Sequence, residues 1–209
     1  MKIGYKSDIH LDFWIGTSNN ERKFENFVKK ILSPKEFDVL IIAGDLGHYN
    51  HQNYFLLKIL KKWTKNILLC LGNNDFYLVS KAQINKCETS FNRVAEFKEM
   101  VASLDGVYLL DGELVEIGEV RFLGVNGRYD FSLALKAGYR VEEVYAKWEL
   151  IMNDSKKIIP RINPLEVAKL EKEKLMMNID KTDIVFVPPF YLRCYDNVFL
   201  DSFYTFDGH

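Results

Sequence analysis

Apolar residues in the first half of the chain alternate between short unbroken runs and stretches with a helical period. Val39-Leu40-Ile41-Ile42-Ala43 and Ile67-Leu68-Leu69-Cys70-Leu71 are continuous, the pattern of strands buried on both faces in a sheet flanked by helices. Ile3 to Tyr5 predicts a shorter strand. Between these runs, Phe24, Phe27, Val28, Ile31 and Leu32 share one face of a helix predicted from about Asn19 to Leu32. Ser18 and Glu21 have capping-box spacing at its start, and Pro34 marks its end. Phe55, Leu56, Ile59, Leu60 and Trp63 predict a second helix, and a third runs from about Asn92 to Leu104.

The period then shortens. Val107 to Leu110, Leu114 to Ile117 and Val120 to Val125 predict three short strands, separated by turn signals at Asp111-Gly112 and Gly118. A helical insertion follows at about residues 132–180. Within it Val141, Val144, Tyr145, Trp148, Ile151 and Met152 share a face, and Asn163-Pro164-Leu165-Glu166 reads as cap, first-turn proline and capping acid of a charged helix. Its charges from Glu166 to Lys174 read as a solvated face. Ile184 to Val187 predicts a last buried strand, and the tail from Pro188 to His209 is aromatic and irregular. With no repeat or linker, residues 1–209 read as a single α/β domain.

Composition narrows the class. A chain of 209 residues with 48% hydrophobic and 14% aromatic content has material for a full core without disulfides or a structural metal. Lys plus Arg total 28 against 29 for Asp plus Glu, a net charge of -1. That balance gives no strong nucleic-acid signal and no pull toward an anionic membrane. The three cysteines, Cys70, Cys87 and Cys194, follow no metal-finger spacing. Neither a signal peptide nor a membrane span is readable, so a reduced, cytoplasmic setting is expected.

The chemistry sits at the ends of the first three strands, which terminate in Asp8-Ile9-His10, Gly44-Asp45 and Gly72-Asn73-Asn74-Asp75. Ligands of open α/β sheets bind beyond the carboxyl ends of the strands, so three such ends converge on one crevice. Asp8 and His10, two apart, would share a side in extended backbone. Carboxylate, imidazole and amide oxygen together suit Mn²⁺ first, with Fe or Zn²⁺ as alternatives, over copper or an iron–sulfur cluster. Alone, each motif is better explained by turn chemistry than by metal ligation.

The ordered set D-x-H, G-D and G-N-x-D resembles the calcineurin-like metallophosphoesterases, and Val107 to Gly124, Met152-Asn153-Asp154 and the strand before Pro188 are similar to a bacterial and phage subgroup. The resemblance implies an α/β sandwich of central sheets flanked by helices, and metal-dependent hydrolysis of a phosphoester or nucleotide small molecule. It implies that Asp8, His10 and Asp45 hold one metal, with Asp45 bridging to a second held partly by Asn73. The family's catalytic histidine falls on Asn74, which Asp75 would orient. An amide can bond a phosphate oxygen but cannot donate a proton as imidazolium does. The histidine ligand after the last strand falls on Val187-Pro188-Pro189-Phe190, and Gly208-His209 matches half of a closing G-H-x-H.

His48 and His209 are candidates for the missing ligands, with a solvated loop the alternative for His48 and His51. Arg128, after Asn126-Gly127, is a candidate phosphate contact or an exposed turn arginine. Two functions compete: a metal-dependent phosphatase or phosphodiesterase, and a catalytically inactive relative that binds a nucleotide, phosphate or protein partner. A third, an oligomerisation module, rests on the aromatic tail alone.

Overall fold

The computed structural model describes residues 1–32 and 37–188 of the chain. Pro34, Cys194, Phe190 and the tail with Gly208-His209 lie outside those residues. Four parallel strands, β1 (Ile3–Ser7), β2 (Phe37–Ala43), β3 (Thr64–Cys70) and β4 (Val107–Leu109), form one sheet in that order. A second sheet holds β5 (Leu114–Ile117) antiparallel to β6 (Val120–Gly124), which pairs in parallel with β7 (Ile184–Phe186). The three short strands predicted in the middle of the chain are thus divided: β4 closes the first sheet, while β5 and β6 begin the second.

The continuous apolar runs follow from two covered faces. Leu40 and Ile42 of β2 with Ile67 and Leu69 of β3 pack against α2 (Glu21–Leu32), α3 (Asn50–Leu60) and α5 (Ser90–Ala102) through Phe24, Phe27, Val28, Leu56, Leu60, Phe97 and Val101. The alternate residues Val39, Ile41, Ala43, Leu68 and Cys70 meet Leu110, Phe122 and Phe186. Helices therefore cover one face only, and the second sheet covers the other. Each fully buried Leu, Ile or Phe contributes about 1.5–3 kcal/mol relative to exposure, so this double burial holds β2 and β3 at the centre.

Register places the site. Ser7 and Cys70 both pair with Ala43, so the chain leaves β1, β2 and β3 at one level. Two short helices not anticipated from the sequence follow these exits: α1 (Leu11–Ile15) after β1, and α4 (Lys81–Cys87) after the third loop. The cap of α2 lies two residues beyond Ser18, because the Asn20 side chain accepts from the Lys23 N–H at 3.3 Å. In the helical segment, α6 (Ser132–Lys136), α7 (Val141–Ile151), α8 (Asp154–Lys157) and α9 (Pro164–Asn178) appear in turn. Asn163 caps α9 by accepting from the Leu165 and Glu166 N–H groups.

Two expectations for this segment do not hold. On α7 Trp148 is buried but Ile151 is 68% exposed, since the helix ends there and only its inner turn meets the domain. On α9 the charges are not all solvated. Glu171 is buried and accepts from the N–H groups of Asn126 and Gly127, anchoring α9 to the chain beyond β6.

Candidate metal centre

Asp8, His10 and Asp45 all adopt left-handed backbone, with φ of 48°, 45° and 55°. Side chains other than glycine enter this region at a cost, and such residues cluster at functional sites. The expected route to proximity, two residues sharing one side of extended backbone, is therefore incorrect. The chain instead kinks at each residue as it leaves β1 and β2. Backbone hydrogen bonds knit the two loops together: the His10 N–H donates to Asp45 O at 2.9 Å and the Leu11 N–H to Leu46 O at 2.8 Å.

The third loop locks beneath them through Asp75. Its carboxylate accepts from the N–H groups of Asp45, Leu46 and Gly72 at 2.8, 3.0 and 2.9 Å, with Gly47 at 3.5 Å. Its position as the partner of residue 74 is thus corrected: Asp75 faces backbone, because buried amides at the turn need an acceptor. Burial, and next the charge of Asp45, push its carboxyl up to about 7, with Arg93 and the backbone amides opposing. Gly44 and Gly72 make this approach possible. A Cβ on Gly72 would collide with the Asp45 carboxylate, and one on Gly44 would lie 2.8 Å from Gly72 N.

The result is a cluster in which ligand atoms of Asp8, His10 and Asp45 lie within 4.8 Å of one another. His10 Nε2 stands 3.8 Å from Asp8 Oδ1 and 3.8 Å from Asp45 Oδ2. That is too long for hydrogen bonding, yet two atoms each bonded to one ion at about 2.1 Å sit roughly 3–4 Å apart. Burial raises the Asp45 carboxyl despite two hydrogen bonds from Asn74. A cation beside it would favour its charged form.

Asn73 adds a second mark of fit. Its Nδ2 donates to Asp154 Oδ1 at 3.0 Å and to the Tyr77 hydroxyl, leaving Oδ1 buried with no hydrogen-bond partner among the described residues. Buried carbonyl oxygens are seldom left so. Asp154 is fully buried on α8 and also accepts from the hydroxyls of Tyr77 and Tyr129, the latter at 3.1 Å. Burial, and then the Asp154 charge, raise both phenols above their ordinary range. The helical segment thereby fixes which end of the Asn73 amide is free. The donor set fits a divalent cation.

Asn74 lies over Asp45. Its N–H and Nδ2 donate to the two carboxylate oxygens at 2.9 and 3.0 Å. His48 is not part of the ligand cluster, and it is not a solvated loop residue. Its ring nitrogens are engaged by Asp12 at 3.1 Å and Asn74 at 3.2 Å. His51 is exposed in the first turn of α3. Arg128 is buried, not an exposed turn residue; its guanidinium lies 4.7 Å over the Phe76 ring and donates to Gly127 O. Pro188, buried after β7, packs toward Gly44, where its Cβ is 2.9 Å from the position of a Gly44 Cβ.

Several positioning residues escaped the sequence reading. Arg93 on α5 is 2% exposed and donates to the carbonyls of Asn74, Tyr77 and Gly47, joining the second and third loops. Asn126 accepts from the Leu71 N–H at 2.8 Å and holds the start of the third loop. An arginine on an amphipathic helix gives no sequence signal, whereas Asn126-Gly127 and Asp154 stood in motifs already singled out.

A model of the calcineurin-like phosphoesterase family matches residues 1–187. No curated protein matches the chain. Among solved structures, the phosphopantetheinyl hydrolase (PptH) of Mycobacterium tuberculosis is similar at 16% identity and a TM-score of 0.58, covering 89% of this chain and 67% of the other. A protein of unknown function, AQ665, from Aquifex aeolicus aligns at 15% identity over 88% of this chain and 76% of its own, with a TM-score of 0.36. The first of these likenesses supports the shared fold.

Proposed function

The chain belongs to the calcineurin-like phosphoesterase family, and from that premise we propose that it hydrolyses a small-molecule phosphoester with a divalent metal at the Asp8, His10 and Asp45 cluster. The observation that carries this reading is the convergence of those three side chains at one sheet end, with Asn73 Oδ1 buried and without a hydrogen-bond partner among the described residues. Asp8, His10 and Asp45 would hold the metal, and Asn73 would offer its oxygen as a further donor. Bound there, a divalent cation supplies Lewis-acid activation of water and neutralises charge on the phosphoryl oxygens. Manganese is the first candidate from the donor set, with iron or zinc as alternatives.

The chain's own residues do the rest. Asp75 and Arg93 hold the loops so that the ligands need no rearrangement. Asn74, bonded to both oxygens of Asp45, orients that carboxylate. Free buried thiols at Cys70 and Cys87 fit a reducing compartment such as the cytoplasm, and no helix among the described residues is long and apolar enough to cross a membrane.

Turnover of a generic aryl phosphodiester and an aryl phosphomonoester, assayed with Mn²⁺ and again after chelation, tests the proposal. Metal-dependent activity lost in Asp45→Ala is expected. Absence of turnover with Mn²⁺, Fe²⁺ and Zn²⁺ at high protein concentration refutes it. One observation favours the second reading, an inactive relative that binds phosphate or nucleotide. A buried Pro188 beside Gly44 occupies the position after the last strand where the family carries a histidine ligand. That reading predicts less than one metal per chain by elemental analysis, and two metals per chain exclude it.

A further inference from the structure

Directly behind Asn74, which stands where a histidine was expected, lies an imidazole. His48 Nε2 is 3.2 Å from Asn74 Oδ1, and His48 Nδ1 is 3.1 Å from Asp12 Oδ2. The Asn74 amide is not free to turn. Its Nδ2 donates to the Asp45 carboxylate at 3.0 Å, so its carbonyl oxygen is the end that meets His48. The ring therefore faces an acceptor on both sides. A neutral imidazole has one N–H and satisfies one of them, whereas the imidazolium has two and satisfies both. The ring is also held in place: Tyr77 stacks on it at 6.3 Å, and Gln83 donates to the His48 carbonyl at 2.6 Å.

We propose that Asp12, His48 and Asn74 act as one unit, in which a protonated His48 between the Asp12 carboxylate and the Asn74 carbonyl polarises the Asn74 amide and supplies the cationic side of the phosphate site. The proposal rests on the phosphoesterase reading above. A charged donor on an amide oxygen draws electron density from the amide nitrogen and strengthens its N–H groups as donors. Asn74 has a second Nδ2 hydrogen, beyond the one given to Asp45, with which to meet a phosphoryl oxygen. His48 acts through Asn74 and is a positioning residue; no proton leaves it. What one histidine would combine, charge and a donor on phosphate, is here divided between two side chains.

The groups that face His48 come from four elements. Helix α1 presents Asp12, the third loop presents Asn74 and Tyr77, and α4 presents Gln83. Helix α5 brings Arg93 to the adjoining Gly47 carbonyl. The network is complete while both ring nitrogens carry protons, and opens at Nε2 when one is lost.

Long-range ¹H–¹⁵N spectra of His48 in the metal-free protein test the charge state. Both ring nitrogens protonated near neutral pH, with that state lost in Asp12→Asn, is the expected result; a bare Nε2 overturns the proposal. Kinetics on the aryl phosphodiester with Mn²⁺ test the role. His48→Gln, which keeps a donor for Asn74 but no charge, lowers kcat on the order of tenfold to a hundredfold, less than deleting a whole oxyanion donor. It leaves Mn²⁺ affinity unchanged and removes the alkaline limb of the kcat–pH profile. An unchanged kcat and profile overturn the proposal. Should the wild type show no turnover while His48 is doubly protonated, the hydrolase reading alone fails. Inorganic phosphate affinity then carries the test: about tenfold weaker binding in His48→Gln supports the unit, and equal affinities overturn it.

Discussion

Removing Asp154 asks how far the helical segment governs the candidate metal centre. Asp154 is fully buried; its Oδ1 accepts from Asn73 Nδ2 and the Tyr77 hydroxyl, and its Oδ2 from the Tyr129 hydroxyl. Asp154→Ala strips an acceptor from three buried donors, each costing about 1–3 kcal/mol when left unsatisfied. The donors share one pocket and relax together, so the expected loss is about 3–6 kcal/mol, short of the additive maximum. Set against a typical domain stability of about 5–15 kcal/mol, that variant stands close to unfolding.

Asp154→Asn is therefore the informative substitution. It keeps shape and one acceptor oxygen but exchanges the other for an amide donor, with an expected loss of about 1–3 kcal/mol. Urea unfolding reads this as a lower midpoint at unchanged slope. The amide also removes the preference that keeps Asn73 Nδ2 turned inward, so the Asn73 oxygen is no longer reliably the free end. Mn²⁺ affinity, measured by calorimetry on the folded variant, should fall about tenfold or more, as for other residues that orient a metal ligand. Wild-type midpoint together with wild-type Mn²⁺ affinity refutes the reasoning.

Gly72→Ala drives a methyl into the Asp45 carboxylate; the folded variant should lose at least about tenfold in Mn²⁺ affinity, and unchanged binding shows that the loops yield. Addition of Mn²⁺ at 100 times its Kd should stabilise the wild type by about 2.7 kcal/mol, seen as a higher Tm, with no rise in Asp45→Ala. Asp12 carries a pH signature. Burial alone raises its carboxyl, but the hydrogen bond and charge of His48 outweigh it, and the net pKa lies below 3.8. A depressed folded pKa contributes stability above pH 3.8 that is lost as pH falls through the folded value. Asp12→Asn should therefore flatten the acid limb of the stability curve, and an unaltered limb contradicts the pairing.

The central strands were readable because β2 and β3 are buried on both faces, which demands continuous apolar runs. What covers the second face was not readable. β4 and β5 have only three and four residues, and nothing in strands so short says whether they extend one sheet or found another. The three ligand-bearing motifs drew attention as strand ends, yet the reason they meet was hidden. The positive φ at Asp8, His10 and Asp45 is a backbone choice imposed by the interlocking loops, and no periodicity announces it. Arg93 was hidden for a different reason. It reads as one more solvated helical charge, and it is buried because three loop carbonyls need donors.

The departures from the family pattern also separate into two physical kinds. At Pro188, where the resemblance places a histidine ligand, the side chain is apolar, buried and packed toward Gly44. At Asn74 the side chain is polar and hydrogen-bonded to Asp45 and His48. The structure seats His48 against Asp12 and aims its other nitrogen at the amide. On the proposal above Asn74 is half of an exchange, and the balance between exchange at 74 and loss at 188 separates the hydrolase reading from the binder reading. A single experiment weighs both: reinstating a ligand by Pro188→His should raise metal stoichiometry with little effect on His48, whereas Asn74→His should collide with the His48 ring and lower, not raise, kcat. A gain of activity in Asn74→His would show that residue 74 was simply lost.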